Sequence, residues 1–232
     1  MTGGARRIGR AIVLALAEAG ADVVFTGRNP SAESDDVLGE IERLGVRGLF
    51  VDCDVRSELS VKRSVETSIE SFDQLDVLVN NAGRFEQAPL DKITVEQWDA
   101  VFETNTRGPF LMAREALPHL RLTQGRIVNI GSLGGLNPWA THAHYCASKA
   151  ALHMLTEAMA KGFAPEVSVN CVAPGWIEFA EFGVPQAEHF AALTPMGRNG
   201  KGEDVAAAVV FFAAGPHFIT GQTLVVDGGL GL

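Results

Sequence analysis

Short runs of Val, Leu, Ile and Phe recur along the chain at residues 22–26, 48–51, 76–79, 126–130, 168–172 and 222–226. Between them lie longer segments, 7–19, 33–44, 59–72, 95–120, 145–163 and 203–214, whose apolar positions return every three to four residues. The first set reads as strands and the second as helices. Strands this uniformly apolar, alternating with helices, predict a parallel sheet covered on both faces. The class is therefore α/β, a doubly wound parallel sheet. No internal repeat, low-complexity tract or linker divides residues 1–232, so one domain is expected.

Composition narrows the partners. A net charge of −9 disfavours nucleic acid. Cys53, Cys146 and Cys171 are odd in number and widely spaced, which fits reduced thiols in a cytoplasmic protein and no metal site. No run approaches the roughly 18 apolar residues of a membrane span. Residues 1–20 imitate a secretion signal, but a glycine turn followed by a helix and a strand explains them better.

Two patterns carry chemistry. Tyr145 and Lys149, in Tyr-Cys-Ala-Ser-Lys, stand one helical turn apart and share a face. Tyr145 is the only tyrosine in the chain. A cation about 4 Å from a phenolate interacts with it by roughly 4 kcal/mol at an effective dielectric of about 20. That is about three pKa units, enough to bring a phenol towards neutrality and into proton transfer. The alternative is a plain helix-surface pair. The second pattern, Thr2-Gly3-Gly4-Ala5-Arg6-Arg7-Ile8-Gly9, runs straight into a helix. Glycines there let backbone N–H groups approach a phosphate, which the helix dipole also favours.

With Asn80-Asn81-Ala82-Gly83, Ser132, the Tyr145/Lys149 pair and Pro174-Gly175 following in order, essentially the whole chain resembles the short-chain dehydrogenase/reductases. Within them it is most similar to bacterial 3-oxoacyl-acyl-carrier-protein reductases and generic alcohol dehydrogenases. The resemblance implies a Rossmann-like domain whose first strand lies mid-sheet. Here the chain starts on the glycine turn, so that strand is missing. Two interior strands are then expected to carry unpaired backbone groups, weakening folding or cofactor binding. A start site placed too late, or a fragment, accounts for this; a valine codon taken as the initiator is one route, and intact mass tests it.

The resemblance also implies a catalytic set of Asn105, Ser132, Tyr145 and Lys149. Ser132 polarises a carbonyl, Tyr145 protonates its oxygen, and Lys149 lowers the tyrosine pKa and holds ribose hydroxyls. Asn105 holds a water that links Lys149 to solvent, or else is purely structural. Gly3, Arg6, Arg7, Ile8 and Gly9 form the cofactor turn, with Arg7 in place of the family's middle glycine. Asp54 and Val55 meet the adenine, with Asp52 the alternative to Asp54. Asn81, Ala82 and Gly83 line the adenosine side, where Asn80 and Asn81 are equally suited to bracing the backbone. Pro174, Gly175 and Ile177 meet the nicotinamide; Phe179 replaces a usual threonine. No metal is required.

Cofactor choice rests on charge. No Asp or Glu occurs between Val23 and Ser31, while Arg28 follows the strand and Arg6 sits in the turn. Two guanidiniums suit a 2′-phosphate, so NADP(H) is expected over NAD(H). The substrate is a small carbonyl or alcohol. Residues 178–195 suggest a lid, and Trp139, Trp176, Phe179 and Phe182 an apolar pocket or ordinary packing. His142 and His144 read as loop residues. The family implies a homotetramer or homodimer. Arg7 also prompts a pteridine reductase reading, which Ser132 weakens. A non-catalytic nucleotide sensor on the same fold is a further alternative, weakened by the intact catalytic set.

Overall fold

The computed structural model describes residues 1–179 and 183–232. Phe182 lies outside them. In chain order the elements are α1 (Arg7–Glu18), β1 (Val23–Gly27), α2 (Ala32–Arg43), β2 (Gly48–Asp52), α3 (Glu58–Phe72) and β3 (Val77–Asn80). There follow α4 (Val95–Phe102), α5 (Gly108–Leu122), β4 (Arg126–Ile130), α6 (Ala143–Phe163), β5 (Ser168–Pro174), α7 (Val184–Leu193), α8 (Gly202–Ala214) and β6 (Thr223–Val226).

Every strand pair is parallel. β1 pairs with β2, and β3, β4, β5 and β6 pair in that order. Residues 1–2 join the two groups. Thr2 bridges Thr26 in parallel and donates its N–H to the Val79 carbonyl at 2.9 Å, while Thr26 N–H donates to the Met1 carbonyl at 2.9 Å. The expected loss of interior pairing is thus relieved only in part, near the carboxyl ends of β1 and β3, which is the edge where open α/β sheets bind ligands.

Side-chain alternation decides which face each strand residue fills. On β3 and β4, Leu78 and Ile127 pack with α3 and α5 residues such as Val61 and Leu120. Val79, Val128 and Ile130 pack oppositely, with Ile12 of α1 and Val205 and Val209 of α8. A third cluster, Val13, Val23, Phe25, Val37 and Ile41, joins α1, β1 and α2. A buried polar line crosses this apolar interior. Asn80 Nδ2 donates to Asn129 Oδ1, and Asn129 Nδ2 donates to Thr156 Oγ1, each at 2.9 Å. It fixes α6 against β3 and β4, because slipping would leave these amides unpaired.

One expected helix is broken. Residues 95–120 form α4, a π-helical turn at Glu103–Arg107, and α5. Pro109 at the start of α5 has no N–H to continue the ladder. Gly108 packs so close to Val55 that a Cβ there would stand 2.9 Å from Val55 Cγ2. The expected lid contains α7, with Trp176 stacked on Phe190 at a centroid distance of 4.0 Å. No helix of the described residues is long and apolar enough to cross a membrane.

Candidate active site

The glycine turn is tight because it lacks side chains where the backbone folds back. Gly3 has φ 65°, and a Cβ on Gly9 would stand 1.9 Å from the Gly3 carbonyl oxygen. Arg7 itself adopts φ 51°, the left-handed conformation that a glycine holds without strain. Asn81 Nδ2 donates to the carbonyls of Thr2 (3.1 Å) and Gly3 (2.8 Å), so its amide braces the turn. Thr2 Oγ1 accepts from the N–H groups of Asn81 and Ala82, each at 3.0 Å.

Beside the turn opens a cleft of about 1030 Å³ lined by Arg6, Arg7, Arg28, Glu33, Gly83 and Phe179, among others. The Arg7 guanidinium lies 5.7 Å from the Phe179 ring centroid, so the unexpected phenylalanine packs on the unexpected arginine. A turn cleared of Cβ atoms at the mouth of α1, with five arginines along the cleft, Arg6, Arg7 and Arg28 among them, fits a dinucleotide with its phosphates. Two expected contacts are otherwise engaged. Arg6 pairs with Glu33 at 2.8 Å, both side chains being exposed. Asp54 is held by Arg56 at 2.6 Å, and that guanidinium, more than the nearby Arg28, keeps the Asp54 carboxyl below the usual range. The Asp54 carboxylate is thus already paired where an adenine contact was expected. Val55 is buried against Gly108.

At the other end, Pro174 closes β5, and Gly175 N–H donates to the Val226 carbonyl at 3.0 Å. Ile177 forms a parallel bridge with Gly200 through the Trp176 carbonyl and the Glu178 N–H. In such a bridge the residue's own N–H and carbonyl point the opposite way, so the Ile177 N–H faces away from Gly200.

Between these regions β4 ends, and three of the expected catalytic side chains converge there. Ser132 is buried and its Oγ accepts from Gly134 N–H at 3.1 Å; its hydroxyl works to lower the pKa of the nearby Tyr145 phenol, against the larger effect of burial. Lys149 Nζ donates to the Ile130 carbonyl at 2.7 Å and lies 5.9 Å from the Tyr145 ring centroid. Burial pushes the phenol up to about 12 and the ammonium down to about 8. The expectation that Lys149 lowers the Tyr145 pKa is therefore corrected for this arrangement: the amine is turned to a backbone carbonyl, and desolvation of the phenolate dominates.

Asn105 sits fully buried on the π turn. Its Nδ2 donates to the Arg84 carbonyl at 2.9 Å and to Ser148 Oγ at 3.0 Å, while its Oδ1 accepts from Arg84 N–H at 2.7 Å. Both amide hydrogens are used, so the side chain clamps the segment after β3 onto α6. π turns mark functional positions often enough to be noted.

Sequence reasoning passed over two neighbours, Phe85 and His153. Phe85 meets the Tyr145 ring edge-on at 4.8 Å and stacks on His142 at 4.7 Å; Trp139 lies parallel to Tyr145 at 6.1 Å. His144 is fully buried, and neither ring nitrogen has a hydrogen-bond partner among the described residues. His153 accepts the Ser132 N–H at Nε2 (3.3 Å). Its spacing of four from Lys149 was the available signal.

This parallel doubly wound sheet, with a glycine turn and a Ser-Tyr-Lys cluster on its carboxyl edge, defines a nicotinamide-dependent oxidoreductase. The chain belongs to the short-chain dehydrogenase/reductase family. Residues 3–231 match the family model described as enoyl-(acyl carrier protein) reductase. A 3-oxoacyl-[acyl-carrier-protein] reductase of Synechocystis sp. is 38% identical over 99% of this chain and 95% of its own length. A dehydrogenase/reductase from Sinorhizobium meliloti superposes with a TM-score of 0.92 at 38% identity, over 99% of this chain and 92% of that one. An NADH-dependent reductase, A1-R′, responsible for alginate metabolism, superposes at 0.90 with 33% identity, over 99% and 94%. As a member of the family the protein acts on CH–OH groups with a nicotinamide cofactor as the acceptor.

Proposed function

We propose that the protein is an NADPH-dependent carbonyl reductase for apolar ketones, 3-oxoacyl thioesters included. The observation that carries this reading is the convergence of Ser132, Tyr145 and Lys149 on the carboxyl end of β4. The nicotinamide, when bound, supplies the redox chemistry. Ser132 orients and polarises the carbonyl oxygen, and Tyr145, neutral at physiological pH, donates the proton to it. Lys149 and Tyr145 hold the ribose, Gly3, Arg6, Arg7, Ile8 and Gly9 the phosphates, Asn81, Ala82 and Gly83 the adenosine side, and Pro174, Gly175 and Ile177 the nicotinamide end.

Arg28 and Arg6 support the 2′-phosphate, and the curated relative supports the thioester substrate. The NADH-dependent neighbour weighs the other way, and Glu33 beside Arg6 is the carboxylate that would serve NADH. Phe85, Trp139 and His142 around Tyr145 favour an apolar substrate over a charged one. Exposed Val95, Trp98 and Phe110 on α4 and α5 support a homodimer or homotetramer.

The test is NADPH oxidation with apolar ketones and 3-oxoacyl thioesters, with Tyr145→Phe as control. Turnover is expected in the native protein and is expected to fall at least ~10²-fold in the variant, with NADPH binding retained. Binding without turnover across the panel would favour a nucleotide sensor instead.

A further inference from the structure

We propose that His153 is a positioning residue for this chemistry: its unprotonated Nε2 anchors the Ser132 N–H and so sets where the Ser132 hydroxyl stands. The inference rests on the catalytic reading of Ser132 given above.

Helix α6 grips the end of β4 at two points. Lys149 Nζ donates to the carbonyl of Ile130 at 2.7 Å, and His153 Nε2 accepts the N–H of Ser132 at 3.3 Å. Along extended backbone the carbonyl of one residue and the N–H two residues on point to the same side. Those are the two groups a neighbouring parallel strand would pair. Lys149 and His153, one helical turn apart, therefore act on residues 130–132 as a strand would, one donating and one accepting.

The loop is built around the imidazole. A Cβ on Gly131 would stand 2.2 Å from His153 Nε2, and one on Gly135 would stand 2.6 Å from its Cε1. Two glycines thus let the backbone after β4 close on the ring. A neutral imidazole has one acceptor and one donor nitrogen. With Nε2 accepting, Nδ1 carries the hydrogen, and Nδ1 is buried with no partner among the described residues. Leucine or valine would fill such a place without stranding a donor, so packing does not explain the histidine; the bond to Ser132 does. The consequence reaches the hydroxyl. With its N–H fixed by His153 and its Oγ accepting from Gly134 N–H, Ser132 is held in place with its hydroxyl hydrogen left to donate.

The test compares His153→Gln, whose amide end reaches the place of Nε2, with His153→Asn, which reaches only that of Nδ1, and with His153→Leu. Turnover of the reactive ketone is expected to fall roughly 10–100-fold in the Asn and Leu variants. The KM for NADPH should be unchanged, and Gln should restore most of kcat. In the native protein, nitrogen-15 NMR of the ring should show Nδ1 protonated and Nε2 bare near neutral pH. Wild-type kcat in the Asn or Leu variant, a Gln variant as impaired as Leu, or a proton on Nε2 overturns the inference. Ser132→Ala separates the two claims. If it alone keeps full activity, the reading of the serine fails; if it is inactive while His153→Leu is not, the role of His153 fails.

Discussion

Lys149 spends its ammonium on the Ile130 carbonyl, and the Tyr145 phenol that shares its helix face is left to the penalty of burial. This gives a sign that can be measured. A lysine whose pKa falls from 10.5 to about 8 on folding binds fewer protons in the folded than in the unfolded chain between those values. Stability is therefore lowest below pH 8, where the folded state carries a buried charge, and rises above it by up to about 3 kcal/mol. Tyr145, raised to about 12, and Cys171, raised to about 11, act oppositely, losing stability from pH 10 and pH 9 upwards. The rise is thus cleanest between pH 8 and 9. Urea midpoints should increase over that window in the native protein and stay flat in Lys149→Met.

Asn105 is predicted to matter first for stability. Replacing it by alanine removes three hydrogen bonds and strands the Arg84 N–H and carbonyl beside a buried Ser148 hydroxyl. A cost of about 3 kcal/mol is expected, which for a chain of this size lowers Tm by roughly 6–12 °C. Calorimetry checks it. An unchanged Tm with lost turnover would return Asn105 to a purely catalytic relay.

How far the sequence reaches is clear from particular residues. Strands such as 126–130 and helices such as 145–163 were legible because a short apolar run and a 3.6-residue period are local properties. The serine-tyrosine-lysine set was named through the family resemblance; spacing alone gave only the shared face of Tyr145 and Lys149. The break at Glu103–Arg107 was missed although Pro109 marks it in the sequence; the close packing of Gly108 on Val55 beside it appears only in the fold. The Tyr145 pKa was not legible, since a spacing of four gives a shared face but not where Lys149 Nζ turns. His153 and Phe85 stayed hidden for the same reason. Each matters through a contact made at a distance along the chain.

The proposed cofactor choice turns on two arginines, Arg6 and Arg28. Arg6 is shared with Glu33 across 2.8 Å, and an exposed pair of this kind is screened by solvent and weak, so a 2′-phosphate can take the guanidinium over. Glu33→Gln is expected to raise the preference for NADPH over NADH a few-fold by freeing Arg6. Arg28→Asp places a carboxylate at the end of β1 and should cut that preference at least ~10-fold. The ratio of kcat/KM for the two cofactors reads both. No loss of NADPH preference in Arg28→Asp would count against the arginine clamp.

The glycine turn gives the sharpest steric prediction. Gly9→Ala sets a methyl 1.9 Å from the Gly3 carbonyl oxygen, in backbone that cannot yield without moving the turn from the mouth of α1. NADPH affinity should fall at least ~10-fold, since the N–H groups proposed to meet the phosphates move with it. Arg7 at φ 51° offers the matched pair. Arg7→Gly keeps that conformation freely, whereas Arg7→Val forces a β-branched side chain into it, at a further cost of about 1–2 kcal/mol. The valine variant should melt several degrees below the glycine variant. Equal melting temperatures would mean that residue 7 does not hold the left-handed turn in solution.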